Sequence, residues 1–79
     1  MSVRAVVFSE FELVAKEQAR DLAPLSDDLV LLESGLDSLC FAIIVARLED
    51  RLGVDPFSEA EEIPVTLKDF IRCYENAVR

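Results

Sequence analysis

The stretch from Ser38 to Leu52 constrains the fold of this chain more than any other part of the sequence. It contains neither glycine nor proline, so no residue in it interrupts a helix. Apolar residues recur in it at the spacing of one helix face: Phe41, Ile44, Val45, Leu48 and Leu52. Gly53 follows immediately, and glycine commonly ends a helix because it adopts left-handed backbone angles without strain. The pattern predicts an amphipathic helix over residues 38–52.

The opposite side of this predicted helix is also apolar. A second row at helical spacing consists of Leu39, Ala42, Ile43 and Ala46. The clearly polar residues of the stretch are Arg47, Glu49, Asp50 and Arg51. A helix with two apolar faces is either buried nearly all round or exposes one face for another protein to bind. A chain of 79 residues has little core in which to bury such a helix completely.

The run Gly35-Leu36-Asp37-Ser38-Leu39 places a hydroxyl at the start of the same helix. The first turn of a helix has backbone N–H groups without partners and carries the positive end of the helix dipole. A phosphate attached there is therefore stabilised without a basic side chain. The simpler interpretation is that Asp37 or Ser38 only caps these N–H groups, which is the commoner role of such residues. The residues Asp37-Ser38-Leu39 alone leave both roles open and favour the cap.

Residues 3–37 predict a first helix followed by a long loop. The helix extends from Val3 to about Leu22, and either Ser2 or Ser9 caps its start. Its apolar face consists of Val7, Phe11, Val14, Gln18 and Leu22. Residues 23–37 contain a proline, a glycine and adjacent aspartates, which is typical of a loop. The leucines expected to anchor this loop in the core are Leu25, Leu29, Leu31, Leu32 and Leu36.

The C-terminal part predicts two more helices and completes the fold. Pro56 and the acidic run over 58–62 suggest a short third helix, and Thr66 with Asp69 resembles a capping box at the start of a last one. The expected core residues of the last helix are Leu67, Phe70, Ile71, Tyr74 and Val78. No stretch alternates like a strand. We predict an all-α fold, a small four-helix bundle with three long helices, one short helix and a long loop between the first two. Residues 1–79 are expected to form a single domain.

The charge of the chain restricts its partners. Sixteen acidic residues against eight basic ones give a net charge of -8, which disfavours nucleic acids and anionic membranes and favours basic proteins. No apolar run is long enough for membrane insertion. The chain has no histidine, and Cys40 and Cys73 are widely spaced, so a metal site or a Cys/His nucleophile has no support and free thiols are expected. The N-terminus lacks a signal-peptide pattern, which predicts a cytoplasmic protein.

The stretch 31–39 and the helix that follows it resemble the acyl carrier protein family around its modified serine. The family's Gly-x-Asp-Ser-Leu signature is complete in Gly35, Asp37, Ser38 and Leu39. The resemblance implies that the Ser38 hydroxyl carries 4′-phosphopantetheine through a phosphodiester, with Asp37 and Leu39 flanking the attachment. It also implies that the terminal thiol of this arm carries an acyl or aminoacyl group as a thioester.

The resemblance favours a docking role for the second apolar row, because processing enzymes of this family bind the helix that the serine begins. The docking residues that it implies are Leu36, Leu39, Ala42, Ile43, Ala46, Glu49 and Asp50. Cys40 and Ile43 replace residues that are commonly polar in bacterial fatty-acid carriers, and Arg47 and Arg51 dilute the acidity of the helix. These departures favour a dedicated lipid, polyketide or other secondary-metabolite pathway.

The function implied by the resemblance is that of a monomeric carrier without catalysis of its own. Its partners are a phosphopantetheinyl transferase, an acyl-loading ligase or transferase, and downstream acyl-processing enzymes with basic surfaces. An enzyme with Ser38 as nucleophile is disfavoured, because the chain has no histidine and nothing marks Lys16 or Lys68 as a buried base. The alternative is an unmodified helical module that binds another protein through the apolar face of helix 38–52. Such a module explains the second apolar row but not the complete serine signature.

Overall fold

The computed structural model of the chain describes residues 2–57 and 64–78. These residues form three α-helices, α1 (Val3–Glu17), α2 (Ser38–Leu52) and α3 (Leu67–Ala77), with a short 3-10 turn at Leu31–Glu33. Over the same ranges there is no β-strand and none of the helices is long and apolar enough to span a membrane. The all-α prediction is confirmed for this part of the chain. The short helix predicted from the acidic run at 58–62 falls outside the described residues.

Side-chain caps begin the first and last helices. The Ser2 hydroxyl accepts a hydrogen bond from the Ala5 backbone N–H at 3.1 Å, which starts α1 at the earlier of its two candidate caps. The Thr66 hydroxyl accepts one from the Asp69 N–H at 3.2 Å, as the capping-box pattern predicts. Val78 was expected in the core, but it follows the last residue of α3 and is 40% exposed.

Helix α1 ends at Glu17 rather than at Leu22. Ala19 takes left-handed backbone angles, with a φ of 54°, and its N–H and that of Arg20 bond back to carbonyls of the last helical turn. This pair of bonds is the Schellman arrangement that ends many helices. Gln18 therefore lies beyond the helix and is exposed, which corrects its placement on the apolar face.

The core lies where α2 and α3 both pack against α1. Its buried apolar side chains are Val6, Val7, Phe11, Val14, Ala15, Leu31, Leu36, Cys40, Ile44, Leu48, Leu67, Phe70, Ile71 and Tyr74. The Phe11 ring of α1 meets Phe70 of α3 and Phe41 of α2 edge to face, with ring centroids 5.4 and 6.0 Å apart. Each such pair adds about 0.5–1.5 kcal/mol beyond the burial of its area. Helix α1 thus fixes the position of the other two.

The loop between α1 and α2 is tied by its backbone to the start of α3. The Leu31 N–H donates to the Val65 carbonyl at 2.9 Å, and the Leu67 N–H donates to the Leu29 carbonyl at 2.8 Å. These bonds flank an isolated antiparallel bridge between Val30 and Thr66. The loop is therefore ordered by its own pairing as well as by its apolar side chains.

Four of the five loop leucines lie where the sequence predicts them. Leu31 and Leu36 are buried, and Leu25 and Leu29 are partly buried against the core. Leu32 is instead 90% exposed, which corrects its assignment to the core. The 3-10 turn directs Leu31 inward, so that the next residue faces solvent.

Candidate functional site at the start of α2

Ser34 organises the turn that leads into α2. Its side chain is fully buried, and its hydroxyl donates to the Leu31 carbonyl at 2.6 Å while accepting from the Leu36 N–H at 3.3 Å. The Ser34 carbonyl in turn accepts from the Ala23 N–H at 2.9 Å. This serine carries no functional prediction from the sequence. Its location between the leucines that enter the core and Gly35 was the signal that could have identified it.

Gly35 is required by the way two segments cross. Its φ is +93°, and a Cβ built on it would lie 2.1 Å from the backbone oxygen of Asp21. A side chain is thus excluded both by backbone strain and by lack of space. The crossing holds the segment after α1 directly against the residues that start α2.

Asp37 rather than Ser38 caps α2. The Asp37 Oδ1 accepts a hydrogen bond from the Cys40 backbone N–H at 2.9 Å, as an N-cap carboxylate does. Ser38 is the first residue of the helix and is exposed. Because its neighbour supplies the cap, the helix start does not depend on the Ser38 hydroxyl.

An ion pair from beyond the end of α1 holds the second oxygen of the same carboxylate. The Arg20 Nη2 donates to Asp37 Oδ2. Hydrogen bonds from the backbone N–H and side chain of Cys40 lower the pKa of the Asp37 carboxyl below its ordinary 3.8; burial opposes this, and the charge of Arg20 adds a smaller lowering. Asp37 is therefore charged at neutral pH. No local sequence pattern points to Arg20, which lies 17 residues away along the chain.

The residues predicted for docking divide into three groups. Leu39 is 60% exposed, and the remaining exposed members are Ala42, Ala46, Glu49 and Asp50. We call these five residues the outer row of α2. Ile43 lies at its edge and is partly buried against the core. Leu36 is only 6% exposed, so it belongs to the core and its assignment to the docking surface is corrected.

Arg47 and Arg51 do not lie in the outer row but turn toward α1. Arg51 Nη1 contacts Oε2 of the buried Glu10 at 2.7 Å, and Arg47 Nη1 lies 3.7 Å from its Oε1. Arg47 Nη2 also pairs with Glu17 at 2.5 Å. The expectation that these arginines dilute the acidity of the docking face is therefore corrected, because their charges are met by acids of the neighbouring helix.

Other reactive groups offer no second centre in the part of the chain that the structure describes. No group of three or more histidine, cysteine or acidic residues there is arranged to hold a metal. Cys40 and Cys73 are both free, and Cys40 is buried. Burial raises the pKa of the Cys73 thiol, and the nearby Asp69 charge raises it further, so this thiol is protonated at neutral pH.

Comparison with known protein families identifies the class to which this site belongs. The model of the phosphopantetheine attachment site family matches residues 11–73. This match covers most of the chain, including all of α2 and the turn before it. The chain belongs to this family, that of the acyl carrier proteins, whose domains are sites of covalent 4′-phosphopantetheine attachment.

Two curated proteins are similar in sequence to this chain. Non-reducing polyketide synthase CTB1 of Cercospora beticola and the protein of the same name from Cercospora nicotianae are each 32% identical to this chain over 74 residues. The match covers 89% of this chain, whereas the chain spans only 3% of the length of each relative. No solved structure matches the chain.

The start of α2 fits the phosphopantetheine group. Ser38 is exposed, so an adduct on its hydroxyl would extend into solvent and displace no core residue. The phosphodiester anion is favoured by the positive end of the α2 dipole. When bound, the group supplies a thiol for thioester chemistry. The residue suited to carry its base is Ser38, and the Asp37 carboxylate next to it is already held by Arg20.

Proposed function

We propose that this chain is an acyl carrier protein in which Ser38 is the attachment point of 4′-phosphopantetheine. The observation that supports this most directly is the division of roles at the start of α2. Asp37 accepts the capping hydrogen bond, and the adjacent serine is left exposed. A helix that is already capped does not require a hydroxyl at its first residue, whereas attachment of the arm does.

The proposed carrier holds, presents and delivers an acyl group without catalysing a reaction. Once it is bound to an enzyme, a tethered thioester reacts at a high effective concentration, so weak docking suffices and release stays fast. A serine nucleophile would need a neighbouring base. The chain has no histidine, and Lys16 and Lys68 are both exposed.

Partner enzymes are proposed to bind the outer row of α2. Leu39 and the two alanines offer apolar contact next to the attachment site, while Glu49 and Asp50 add negative charge toward the other end of the helix. Acids around an apolar patch favour partners with basic rims and raise the association rate at low salt. The expected partners are a phosphopantetheinyl transferase, an acyl-loading ligase or transferase, and downstream acyl-processing enzymes.

The relatives favour polyketide cargo in a dedicated pathway, because both are named non-reducing polyketide synthases. The proposal also includes a single monomeric carrier domain over residues 1–79, with the fourth, short helix near residues 58–62. The free cysteines fit the reducing environment of the cytoplasm.

Intact-protein mass spectrometry tests the attachment. The chain and its Ser38→Ala variant are incubated with coenzyme A and a promiscuous phosphopantetheinyl transferase, beside an established carrier as positive control. We expect a phosphopantetheinyl adduct on the unsubstituted chain, mapped to the peptide that contains Ser38, and none on the variant. Because Asp37 keeps the cap, the variant should lose less than about 0.5 kcal/mol of unfolding free energy.

Two results would contradict the proposal. An adduct on Ser38→Ala would show that another residue is modified. A folded chain that stays unmodified while the positive control reacts would favour the alternative function, an unmodified helical module that binds its partner through the outer row of α2.

A further inference from the structure

The carboxylate next to Ser38 is held from two directions. Its Oδ1 accepts the N–H of Cys40 within α2, and its Oδ2 accepts from the guanidinium of Arg20 beyond α1. Asp37 therefore links the end of one helix to the start of the next. Removal of Arg20 would free the second oxygen, so that the carboxylate is held in its capping position from one side instead of two.

Backbone hydrogen bonds and a left-handed turn fix the position from which the Arg20 side chain extends. The Arg20 N–H bonds back to the Ala15 carbonyl at 2.8 Å, and the preceding Ala19 holds the left-handed angles that turn the chain there. After Arg20 the sequence contains no lysine or arginine until Arg47. Arg47 is paired with acids of α1, whereas Arg20 is paired with Asp37 at the start of α2.

Modification of Ser38 changes the charge balance at this point. A phosphodiester adds a negative charge on the residue next to the Asp37 carboxylate, and two neighbouring anions repel each other. A guanidinium has five N–H donors in a planar fork and suits both carboxylate and phosphate oxygens. Arg20 already binds one of these anions and is half exposed, so its remaining donors are accessible.

We propose that Arg20 is a positioning residue for the phosphopantetheine arm, which holds Asp37 in its capping position and offsets the charge of the phosphodiester on Ser38. This inference rests on the proposed attachment at Ser38. The proposal has one distinguishing consequence: loss of Arg20 should lower the stability of the modified chain more than that of the unmodified chain.

Arg4 provides a matched control. It forms an ion pair with Asp27, and the exposures of its pair, 48% and 44%, are close to the 46% and 41% of Arg20 and Asp37. Arg4→Gln therefore removes the same charge from a similar pair that does not include a neighbour of Ser38. Arg20→Gln tests the proposal, and Arg20→Lys tests rescue by charge alone.

The experiment measures the urea midpoint of each variant before and after modification with coenzyme A and the transferase. At low salt, we expect modification to lower the midpoint of Arg20→Gln by about 0.2–0.5 M more than that of the unsubstituted chain. Arg4→Gln should behave as the unsubstituted chain does, and Arg20→Lys should restore most of the difference. The extra loss should disappear in 1 M salt, where charges more than about 3 Å apart are screened.

A second measurement needs no modification. NMR titration should show a higher pKa for Asp37 in Arg20→Gln than in the unsubstituted chain, and no change in Arg4→Gln. Two results would overturn the role of Arg20 but not the attachment at Ser38. One is an unchanged Asp37 pKa in Arg20→Gln, and the other is an equal midpoint shift on modification in Arg20→Gln and Arg4→Gln. Failure of the unsubstituted chain to be modified would instead overturn the attachment at Ser38, and this inference with it.

Discussion

Replacement of Gly35 by alanine should destabilise the chain far more than the same change at Gly53. Both glycines have left-handed backbone angles, with φ of 93° and 74°. A Cβ at Gly53 meets no atom within 4 Å, whereas a Cβ at Gly35 would lie 2.1 Å from the Asp21 backbone oxygen. Alanine in this conformation costs about 1–2 kcal/mol at either position. The difference between the stability losses of the two variants therefore measures the steric cost of a side chain where Gly35 meets the Asp21 backbone.

The steric part of that cost follows from the distance. Carbon and oxygen atoms in close contact are normally about 3.3 Å apart or more, so the two segments would have to separate by about 1 Å. The obstructing atom belongs to the backbone and has no rotamer by which to move away. Separating the two segments strains the hydrogen bond between the Ala23 N–H and the Ser34 carbonyl. The loss of one buried hydrogen bond costs about 1–3 kcal/mol. We expect a total loss of about 4 kcal/mol for Gly35→Ala.

Urea denaturation followed by circular dichroism measures both losses. A chain of 79 residues typically has about 4–12 kcal/mol of stability, so Gly35→Ala should lose about a third of it or more and unfold at a much lower urea concentration. Gly53→Ala should lose about 1–2 kcal/mol and keep a cooperative transition. Equal losses in the two variants would show that the Asp21 segment moves aside at no cost, and would refute the role assigned to the crossing.

Three further predictions concern the charges and the end of α1. Ala19→Gly relieves the left-handed alanine and should raise Tm by about 4 °C; a lower Tm in a thermal melt would contradict this. Glu10→Ala removes the buried acceptor between Arg47 and Arg51. Because these arginines are 34% and 36% exposed, the loss of unfolding free energy measured by urea denaturation should be about 2 kcal/mol, less than the roughly 3–5 kcal/mol of a fully buried pair. A loss of less than about 0.5 kcal/mol would show that Glu10 contributes no more than a surface ion pair does. Folding lowers the pKa of Asp37 below its ordinary 3.8, so its charge stabilises the chain above that pH and ceases to do so as the pH falls through the lowered value. The unsubstituted chain should therefore exceed Asp37→Asn in stability at pH 7 by a margin that shrinks in acid, and a margin that stays constant down to about pH 2 would count against the assignment.

The start of the candidate site is predictable from sequence because its signals are local. A stretch without glycine or proline, a capping residue before it and Gly53 after it define α2 as Ser38–Leu52, and the structure confirms both ends. Which of two adjacent residues supplies the cap depends on side-chain geometry, and the structure assigns it to Asp37. The roles of Ser38 in attachment and of the outer row in docking stay predictions.

The parts of the site that sequence reasoning missed depend on contacts between distant residues. The end of α1 was placed too late because Ala19 adopts angles that usually mark a glycine. The pairing of Arg20 with Asp37 and of Arg51 with Glu10 joins residues 17 and 41 positions apart. No periodicity records such pairs, since they arise only when the helices pack.

The bond from the Ala23 N–H to the Ser34 carbonyl has a mechanical consequence for the segment between them. It clamps the two ends of that segment together at 2.9 Å, as in a closed surface loop. The entropy of closing such a loop grows slowly with its length, by about 0.6 kcal/mol for each doubling. Residues inserted near the exposed Pro24 and Ser26 would lengthen the loop while its ends stay clamped. The start of α2 is thereby kept in place when the length of the preceding loop changes.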